Sequence, residues 1–245
     1  MSNIIPKIIH YCWLGDAPYP DLVTKCIASW HKHLKDYEFV LWDKKKFDIN
    51  SVEWVKEAYN CKKYAFAADY IRLYALYTEG GIYLDTDVEV LKDFSPLLEQ
   101  SSFMGYEASN SMEPAIIGAQ SGLEWIKICL DYYKNRHFIK QNKSLDVRPL
   151  PHIIGETIRN NYQYQKDTSK IIFINKAQLA LYPKDYFGPK SYKTNKINIS
   201  DNTYAIHHFA ASWLSTRDKI VGFIIKLFGK RLSKFLLKIY HRLFD

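Results

Sequence analysis

Hydrophobic and polar positions in the first third of the chain alternate between strand and helix periods. An apolar run over residues 7–13 predicts a first buried strand, which Gly15 ends. Asp21 can cap a helix whose apolar residues share one face. That face consists of Leu22, Cys26, Trp30 and Leu34. Residues 37–42 predict a second strand, and the order strand, helix, strand favours a parallel sheet with right-handed crossovers.

The segment 64–90 organises the rest of the chain. Apolar and aromatic residues recur in it at three- and four-residue spacing, which predicts an amphipathic helix. These residues are Phe66, Ala67, Tyr70, Ile71, Tyr74 and Tyr77. Gly80 and Gly81 end the helix where a left-handed residue is expected. Residues 82–84 then form a short apolar run typical of a strand buried on both faces, and Asp85 and Asp87 follow it directly.

The position of this D-x-D pair gives it chemical meaning. In open α/β sheets, ligands bind beyond the carboxyl ends of the strands. Two acidic residues at this spacing can present carboxylates to a hard divalent cation, directly and through water. Such a cation neutralises the phosphates of a nucleotide. The alternative is a solvated acidic turn.

Further elements follow in the second half. We expect strands over 103–107, 171–174 and 204–207, an apolar stretch over 115–122, helices over 51–59 (capped by Ser51), 123–135 and 155–161, and an aromatic loop over 181–189. Residues 219–244 interleave basic and apolar residues, which is typical of an amphipathic helix lying on an anionic membrane surface. A terminal helix packed on the domain is the alternative. We therefore predict a catalytic domain over 1–215 and a basic helical tail over 216–245.

Composition narrows the class of function. The 245-residue chain is 47% hydrophobic, which is enough for one generous α/β domain, and its net charge of +8 indicates an anionic partner. The chain contains no recognised nucleic-acid-binding module, and its basic stripe lies in the tail, so we expect no nucleic-acid partner. The cysteines lack C-x-x-C spacing and predict buried free thiols. Without a secretory signal or a bilayer-spanning run, the expected location is cytoplasmic.

Three segments together resemble a known family. They are IPKIIHYCWLG near the start, AADYIRLYALYTEGGIYLDTDVEV in the middle and AIHHFAASW near the end. The chain resembles the DXD-containing sugar transferases of glycosyltransferase family 32, which include capsular-polysaccharide and outer-chain mannosyltransferases, and is more distantly similar to the large clostridial glucosylating toxins. The resemblance implies a GT-A fold, a Rossmann-like and mostly parallel α/β sheet flanked by helices. It also implies a nucleotide-sugar donor, a divalent cation (Mn²⁺ or Mg²⁺) and transfer with retention of configuration.

The resemblance also implies roles for residues of the first half. Trp13 matches the ring that stacks on the base of the donor. Asp69 and Arg72 are neighbours on one helix face and match the groups that contact the donor sugar and the diphosphate. Tyr83 matches a donor-contacting tyrosine, and Asp85 contributes to both donor and metal binding.

A second set of roles concerns the metal and the end of the chain. Asp87 is the expected direct metal ligand, and a late histidine should complete the site. His208 is the first candidate and His207 the second. Ser212 and Trp213 match a closing segment that folds over the diphosphate.

On the acceptor side the chain departs from the pattern of the family. Where family members often carry a G-P element, this chain has PHIIGET at 151–157. A double-displacement mechanism would need a second carboxylate. Glu107 and Glu156 are weak candidates, so we favour front-face attack with Arg72 and the cation stabilising the leaving diphosphate.

The expected function is transfer of a hexose, with a UDP-sugar favoured, to a glycan or a lipid-linked oligosaccharide in capsular or other cell-surface polysaccharide synthesis. The tail would hold the enzyme at the inner face of the membrane. Alternatives are a toxin-like transferase that modifies proteins, a non-enzymatic binding module, and a phosphatase or phosphotransferase that uses the D-x-D pair. The last usually carries threonine or valine two residues after the second aspartate, where this chain has Glu89.

Overall fold

The computed structural model describes residues 5–107, 111–191 and 194–210, which are built around a seven-stranded sheet. The strands are β1 (Ile8–Cys12), β2 (Glu38–Trp42), β3 (Gly81–Leu84), β4 (Val88–Val90), β5 (Ser102–Tyr106), β6 (Met112–Ala119), β7 (Ile172–Ile174), β8 (Leu179–Tyr182) and β9 (Ala205–His207). The helices are α1 (Asp21–His33), α2 (Glu53–Asn60), α3 (Tyr64–Glu79), α4 (Glu124–Asp131), α5 (Leu150–Asn161) and α6 (Lys184–Phe187).

The large sheet is mixed but mostly parallel. Its strand order is β2-β1-β3-β6-β5-β8-β7, and β4 pairs with β9 in a separate ribbon. β1 is parallel to both β2 and β3, and β5 is parallel to β8. β6 runs antiparallel to β3 and β5, and β7 antiparallel to β8. Five of the seven strands therefore point the same way, and the predicted class of a mostly parallel α/β sheet flanked by helices is confirmed.

Two cores lie on the two faces of the sheet, because successive strand residues point to opposite sides. Tyr83 packs into the core under α2, α3, α4 and α5, whereas Ile82 and Leu84 pack into the core shared with α1, α6 and the β4–β9 ribbon. The central strand β3 is buried throughout, as its continuous apolar run predicts.

The buried face of helix α3 is wider than the apolar face predicted from the sequence. Arg72, Leu73, Ala75 and Leu76 are buried together with Phe66, Ala67 and Ile71. Tyr74, predicted to lie on the buried face, is 36% exposed. Because α3 packs against α2, α4 and the sheet at once, more than half of its circumference is covered.

The glycine pair after α3 is required by the backbone. Gly80 and Gly81 have φ of +69° and +104°, which L side chains rarely adopt. A Cβ on Gly81 would also lie 2.7 Å from the Ile8 carbonyl oxygen. The predicted helix end is thus correct, and it lets β3 approach β1 closely.

Several other boundaries differ from the predictions. α4 ends four residues early at Asp131, and α5 begins five residues early at Leu150. The expected loop over 181–189 contains the end of β8 and all of α6. Ser51 does not cap α2; its hydroxyl donates to the Asp48 carbonyl oxygen in the preceding turn. Asp21 is the first residue of α1 and makes no capping bond.

The predicted tail over 216–245 and its boundary lie outside the described residues. Within the described ranges, no helix is both long and apolar enough to cross a membrane. Cys12, Cys26, Cys61 and Cys129 are all free, and only Cys61 is not fully buried, as their spacing predicted.

Candidate active site

The D-x-D pair forms a tight turn between β3 and β4. The Asp85 amide donates to the Ala115 carbonyl oxygen at 2.8 Å, which extends the β3–β6 ladder by one residue. The Val88 amide then donates back to the Asp85 carbonyl oxygen at 3.0 Å. This turn holds both aspartates at the carboxyl end of the central strand, where α/β folds bind ligands.

Arg72 anchors the turn from helix α3. Its Nη2 lies 3.1 Å from Asp85 Oδ1 and 3.0 Å from Asp69 Oδ1. Its Nη1 donates to the Pro114 carbonyl oxygen at 2.7 Å and lies 3.4 Å from Asp85 Oδ2. The guanidinium also stands over the Tyr83 ring at 4.6 Å. Arg72 is 5% exposed, so in this structure it positions carboxylates and does not present a surface to the diphosphate.

The buried carboxylates are destabilised as anions. Burial raises the pKa of Asp69 to about 7, although Arg72 opposes the shift and the Leu150 amide donates to the carboxylate. Burial likewise raises the pKa of Asp85, again against Arg72. Because desolvation penalises the charged form, a further cation near these groups would stabilise them.

His207 is the late histidine that faces the aspartates. Its Nε2 lies 3.5 Å from Asp87 Oδ1 and its Nδ1 lies 3.2 Å from Glu113 Oε2, although not in line for a hydrogen bond. Burial lowers the pKa of His207, but Glu113 and Asp87 outweigh it and raise the pKa well above its usual value. The two carboxylates therefore favour a positive charge at the position of His207.

His208 points elsewhere, which reverses the expected order of the two candidates. Its Nε2 lies 2.8 Å from Glu89 Oε2, while its amide donates to the Asp87 carbonyl oxygen at 3.0 Å. Adjacent strand residues project to opposite sides, and pairing of β9 with β4 sends His207 to the site.

The site holds an excess of negative charge suited to a divalent cation. Its titratable groups are four carboxylates (Asp69, Asp85, Asp87 and Glu113) and two cations (Arg72 and His207), so two negative charges remain when all are ionised. Asp85, Asp87 and His207 bring ligand atoms within 4.8 Å of one another. Carboxylates suit Mg²⁺ and Mn²⁺, and the imidazole favours the transition metal of the two. The residues present therefore fit the implied cation.

The remaining predicted residues lie around this cluster or outside the described ranges. Trp13 follows β1, the parallel neighbour of β3, and is half-buried. Its Nε1 donates to the Ala17 carbonyl oxygen at 3.0 Å, and Tyr19 packs edge-on against its ring. Tyr83 is buried beneath Arg72, so it supports the site from below. Ser212 and Trp213 lie outside the described residues.

Neither weak candidate for a second carboxylate joins the cluster of ligand atoms. Glu156 pairs with Arg148. Glu107 is half-buried, and burial followed by Glu113 raises its pKa. The residue that sequence reasoning missed is Glu113, which is 4% exposed and accepts the Ala115 amide at 3.2 Å. Its signal is a lone acid one residue before Pro114 and the apolar run of β6.

Comparison with known families and proteins agrees with this geometry. Residues 20–104 match the family described as the glycosyltransferase sugar-binding region containing a DXD motif. Inositol phosphoceramide mannosyltransferase 3 of Schizosaccharomyces pombe is 30% identical over 125 residues, covering 49% of this chain and 35% of that protein. Mannosyl phosphorylinositol ceramide synthase CSH1 of Saccharomyces cerevisiae is 26% identical over 250 residues, covering 92% and 61%. The chain thus spans between about a third and three fifths of these relatives.

Solved structures show weaker similarity. PaToxG glycosyltransferase aligns over 64% of this chain and 68% of its own, with 18% identity and a TM-score of 0.48. A glycosyltransferase involved in glycosylation of the major capsid of PBCV-1 aligns over 87% and 97%, with 13% identity and a TM-score of 0.48.

Proposed function

We propose that this chain is a metal-dependent, retaining hexosyltransferase, and the match of residues 20–104 to the glycosyltransferase sugar-binding region containing a DXD motif supports the proposal. The main supporting observation is that ligand atoms of Asp85, Asp87 and His207 lie within 4.8 Å of one another, in a site with surplus negative charge. The donor is a nucleoside-diphosphate sugar. UDP-hexoses are the first candidates, and the names of the yeast relatives add a mannose donor.

The proposed division of labour follows the contacts. Asp87 and His207 hold the cation, which would neutralise the leaving diphosphate when bound. Asp85 and Asp69, fixed by Arg72, orient the hydroxyls of the donor sugar. Trp13 supports the base, and Ser212 and Trp213 close over the diphosphate. Arg72 acts through the two aspartates and is a positioning residue.

For the chemical step we propose front-face attack. The acceptor hydroxyl approaches the anomeric carbon from the side on which the diphosphate departs, the carbon–oxygen bond to the diphosphate breaks, and a phosphate oxygen takes the acceptor proton. This route needs no carboxylate nucleophile. Both Asp85 oxygens face Arg72, which also disfavours the phosphotransferase alternative, where an aspartate must be free to attack.

The proposed acceptor is a glycan or a lipid-linked oligosaccharide, and the proposed setting is cell-surface polysaccharide synthesis. The basic segment 219–244 would hold the enzyme peripherally at the cytoplasmic face of the membrane. The net charge of the chain and the interleaving of this segment support both proposals.

The first test measures nucleotide release from a panel of UDP- and GDP-sugars, with and without Mn²⁺. The native chain should hydrolyse one donor only with metal, and Asp87→Asn should lower that rate at least about a hundredfold, because it removes a carboxylate that holds the cation. Asp36→Asn, an exposed acid, is the matched control and should behave as the native chain. Release indifferent to both metal and Asp87 would refute the proposal.

A second test compares the adjacent histidines by Mn²⁺ titration calorimetry. His207→Gln should weaken Mn²⁺ binding at least about tenfold, since it removes a ligand. His208→Gln loses only its contact with Glu89 and should bind Mn²⁺ as the native chain does. The reverse ranking would restore His208 as the ligand.

A further inference from the structure

Beside the D-x-D site lies a cleft of about 220 Å³ between α5 and the adjoining ends of β5 and β6. Its polar walls include Tyr106, His152, Glu156, Arg159, Tyr164 and Lys166. Pro151, Gly155 and Arg159 recur at four-residue spacing, so they form one stripe of α5. The opposite side of α5, with Ile153, Ile154 and Ile158, is buried in the core.

Two backbone connections bring this cleft close to the proposed catalytic cluster. The first is in the sheet, where Tyr106 pairs with Met112 and the next rung pairs Gly105 with Glu113, the partner of His207. The second is the start of α5, where the Leu150 amide donates to Asp69. The cleft is thus bounded by two elements that each contribute to the site.

The charges on the cleft are not balanced. Glu156 is paired with Arg148, so these two charges offset each other. Arg159 remains as a cation on the wall, and the described residues place no carboxylate in ion-pair contact with it. Lys166 is a second basic residue of the same wall. A Cβ on Gly155 would meet Arg159 Nη1 at 3.1 Å, so the missing side chain leaves room for the guanidinium to lie along the cleft.

A buried hydroxyl completes the arrangement. Tyr106 is 1% exposed and lines the cleft, and no hydrogen bond of standard geometry reaches its hydroxyl among the described residues. Its pKa is raised by burial and by Tyr164, whose hydroxyl lies near it. A buried polar atom without a partner costs about 1–3 kcal/mol, so such atoms usually serve a ligand or a water. The Lys166 ammonium lies 5.8 Å from the centre of the same ring.

We propose that this cleft binds a phosphate group carried by the acceptor, with the Arg159 guanidinium and Lys166 ammonium as its counter-charges and the Tyr106 hydroxyl as a donor. A forked guanidinium and a hydroxyl donor match phosphate oxygens in number and geometry. The identification of the ligand as the acceptor rests on the proposed function. Binding of phosphate by the cleft does not, because it can be measured without turnover.

The test uses the full chain in chelator, so that no cation recruits phosphate to the D-x-D site. Two probes are titrated by calorimetry. Glycerol 1-phosphate is the soluble phosphate ester, and dioctanoyl phosphatidic acid, kept below its critical micelle concentration, is the lipid phosphate ester. Arg159→Gln and Tyr106→Phe should each weaken binding roughly three- to tenfold, because each loses a bond to the phosphate. Lys25→Gln, an exposed lysine of α1, should have no effect.

The variant Tyr106→Phe distinguishes a loss of phosphate binding from a loss of folding. Because no hydrogen bond of standard geometry reaches the hydroxyl from the described residues, its removal should leave the thermal midpoint unchanged or raised. Loss of affinity for both probes assigns the cleft to phosphate in general, and loss for the lipid alone assigns it to a lipid-borne phosphate. Unchanged affinity in both variants, or no binding by the native chain, overturns the proposal. Native metal-dependent donor hydrolysis in the same variants would show that the proposed function stands regardless.

Discussion

At the residue scale, His10 is a buried group that ties three elements together. It has no exposed surface, its Nε2 donates to the Gly80 carbonyl oxygen at 2.7 Å, and its Nδ1 accepts from Trp42 Nε1 at 3.0 Å. These partners fix a neutral imidazole. Burial lowers the pKa of His10, although the Gly80 carbonyl and Glu79 oppose the shift. His10 therefore joins β1 and β2 to the end of α3 just before the D-x-D strand.

The lowered pKa has a consequence for stability. As the pH falls below about 6.5, the unfolded chain protonates this histidine while the folded chain does not, so the unfolded state binds more protons and stability decreases. His10→Gln should remove this contribution and make the urea midpoint fall less steeply from pH 7 to pH 5. It should also cost about 1–3 kcal/mol at pH 7 through the broken hydrogen bonds.

The matched control for that measurement is His31→Gln, which changes an exposed histidine on α1. It should keep the native dependence on pH. Equal slopes for the native chain and His10→Gln would show that His10 titrates alike in the folded and unfolded states.

At the element scale, local signals predicted the D-x-D strand well. The helix period, the two glycines and the apolar run of β3 are contiguous in sequence, and each dictates its own backbone geometry. The positive φ of Gly80 and Gly81 is a requirement that no other residue type meets as easily. The position of Asp85 and Asp87 at the end of a strand can therefore be predicted without knowledge of the rest of the fold.

The partners of that strand could not be predicted in the same way. Choosing His207 over His208 depends on the register that pairs β9 with β4, about 120 residues away. Glu113 becomes part of the site because β6 runs antiparallel to β3, and nothing local in the sequence sets that direction. The exposed Tyr74 reflects how α3 is covered by its neighbours. Residue types thus indicated the candidate chemistry, and tertiary pairing determines which copies of each residue type lie together in the cluster.

At the scale of the whole molecule, the charge is divided between two regions. Residues 219–244 contain seven basic and no acidic residues, which is nearly all of the net charge of +8. The described site, in contrast, carries surplus carboxylates. The proposed cation site and the proposed anion-binding segment would not compete for the same ligand, and the concentration of basic residues in 219–244 supports the membrane role proposed for that segment.

That role predicts a specific pattern of vesicle binding by the full chain. Replacing Lys226, Lys230, Lys234 and Lys238 by glutamine should weaken binding to phosphatidylglycerol-containing vesicles at least about a hundredfold, because each basic residue near an anionic surface contributes about 1 kcal/mol. Raising the salt concentration should weaken native binding in the same direction. The measurement is co-sedimentation, with pure phosphatidylcholine vesicles as the uncharged reference.

A control variant with the same net charge distinguishes an effect of the tail from an effect of net charge alone. Lys25, Lys32, Lys35 and Lys134 are exposed in the described domain, and replacing all four by glutamine removes the same four charges. This control should retain most of the native vesicle binding, since its lysines lie outside the interleaved basic and apolar pattern that buries side chains in a membrane surface. If both variants lose binding equally, overall charge explains the attraction, and the membrane role proposed for residues 219–244 is wrong.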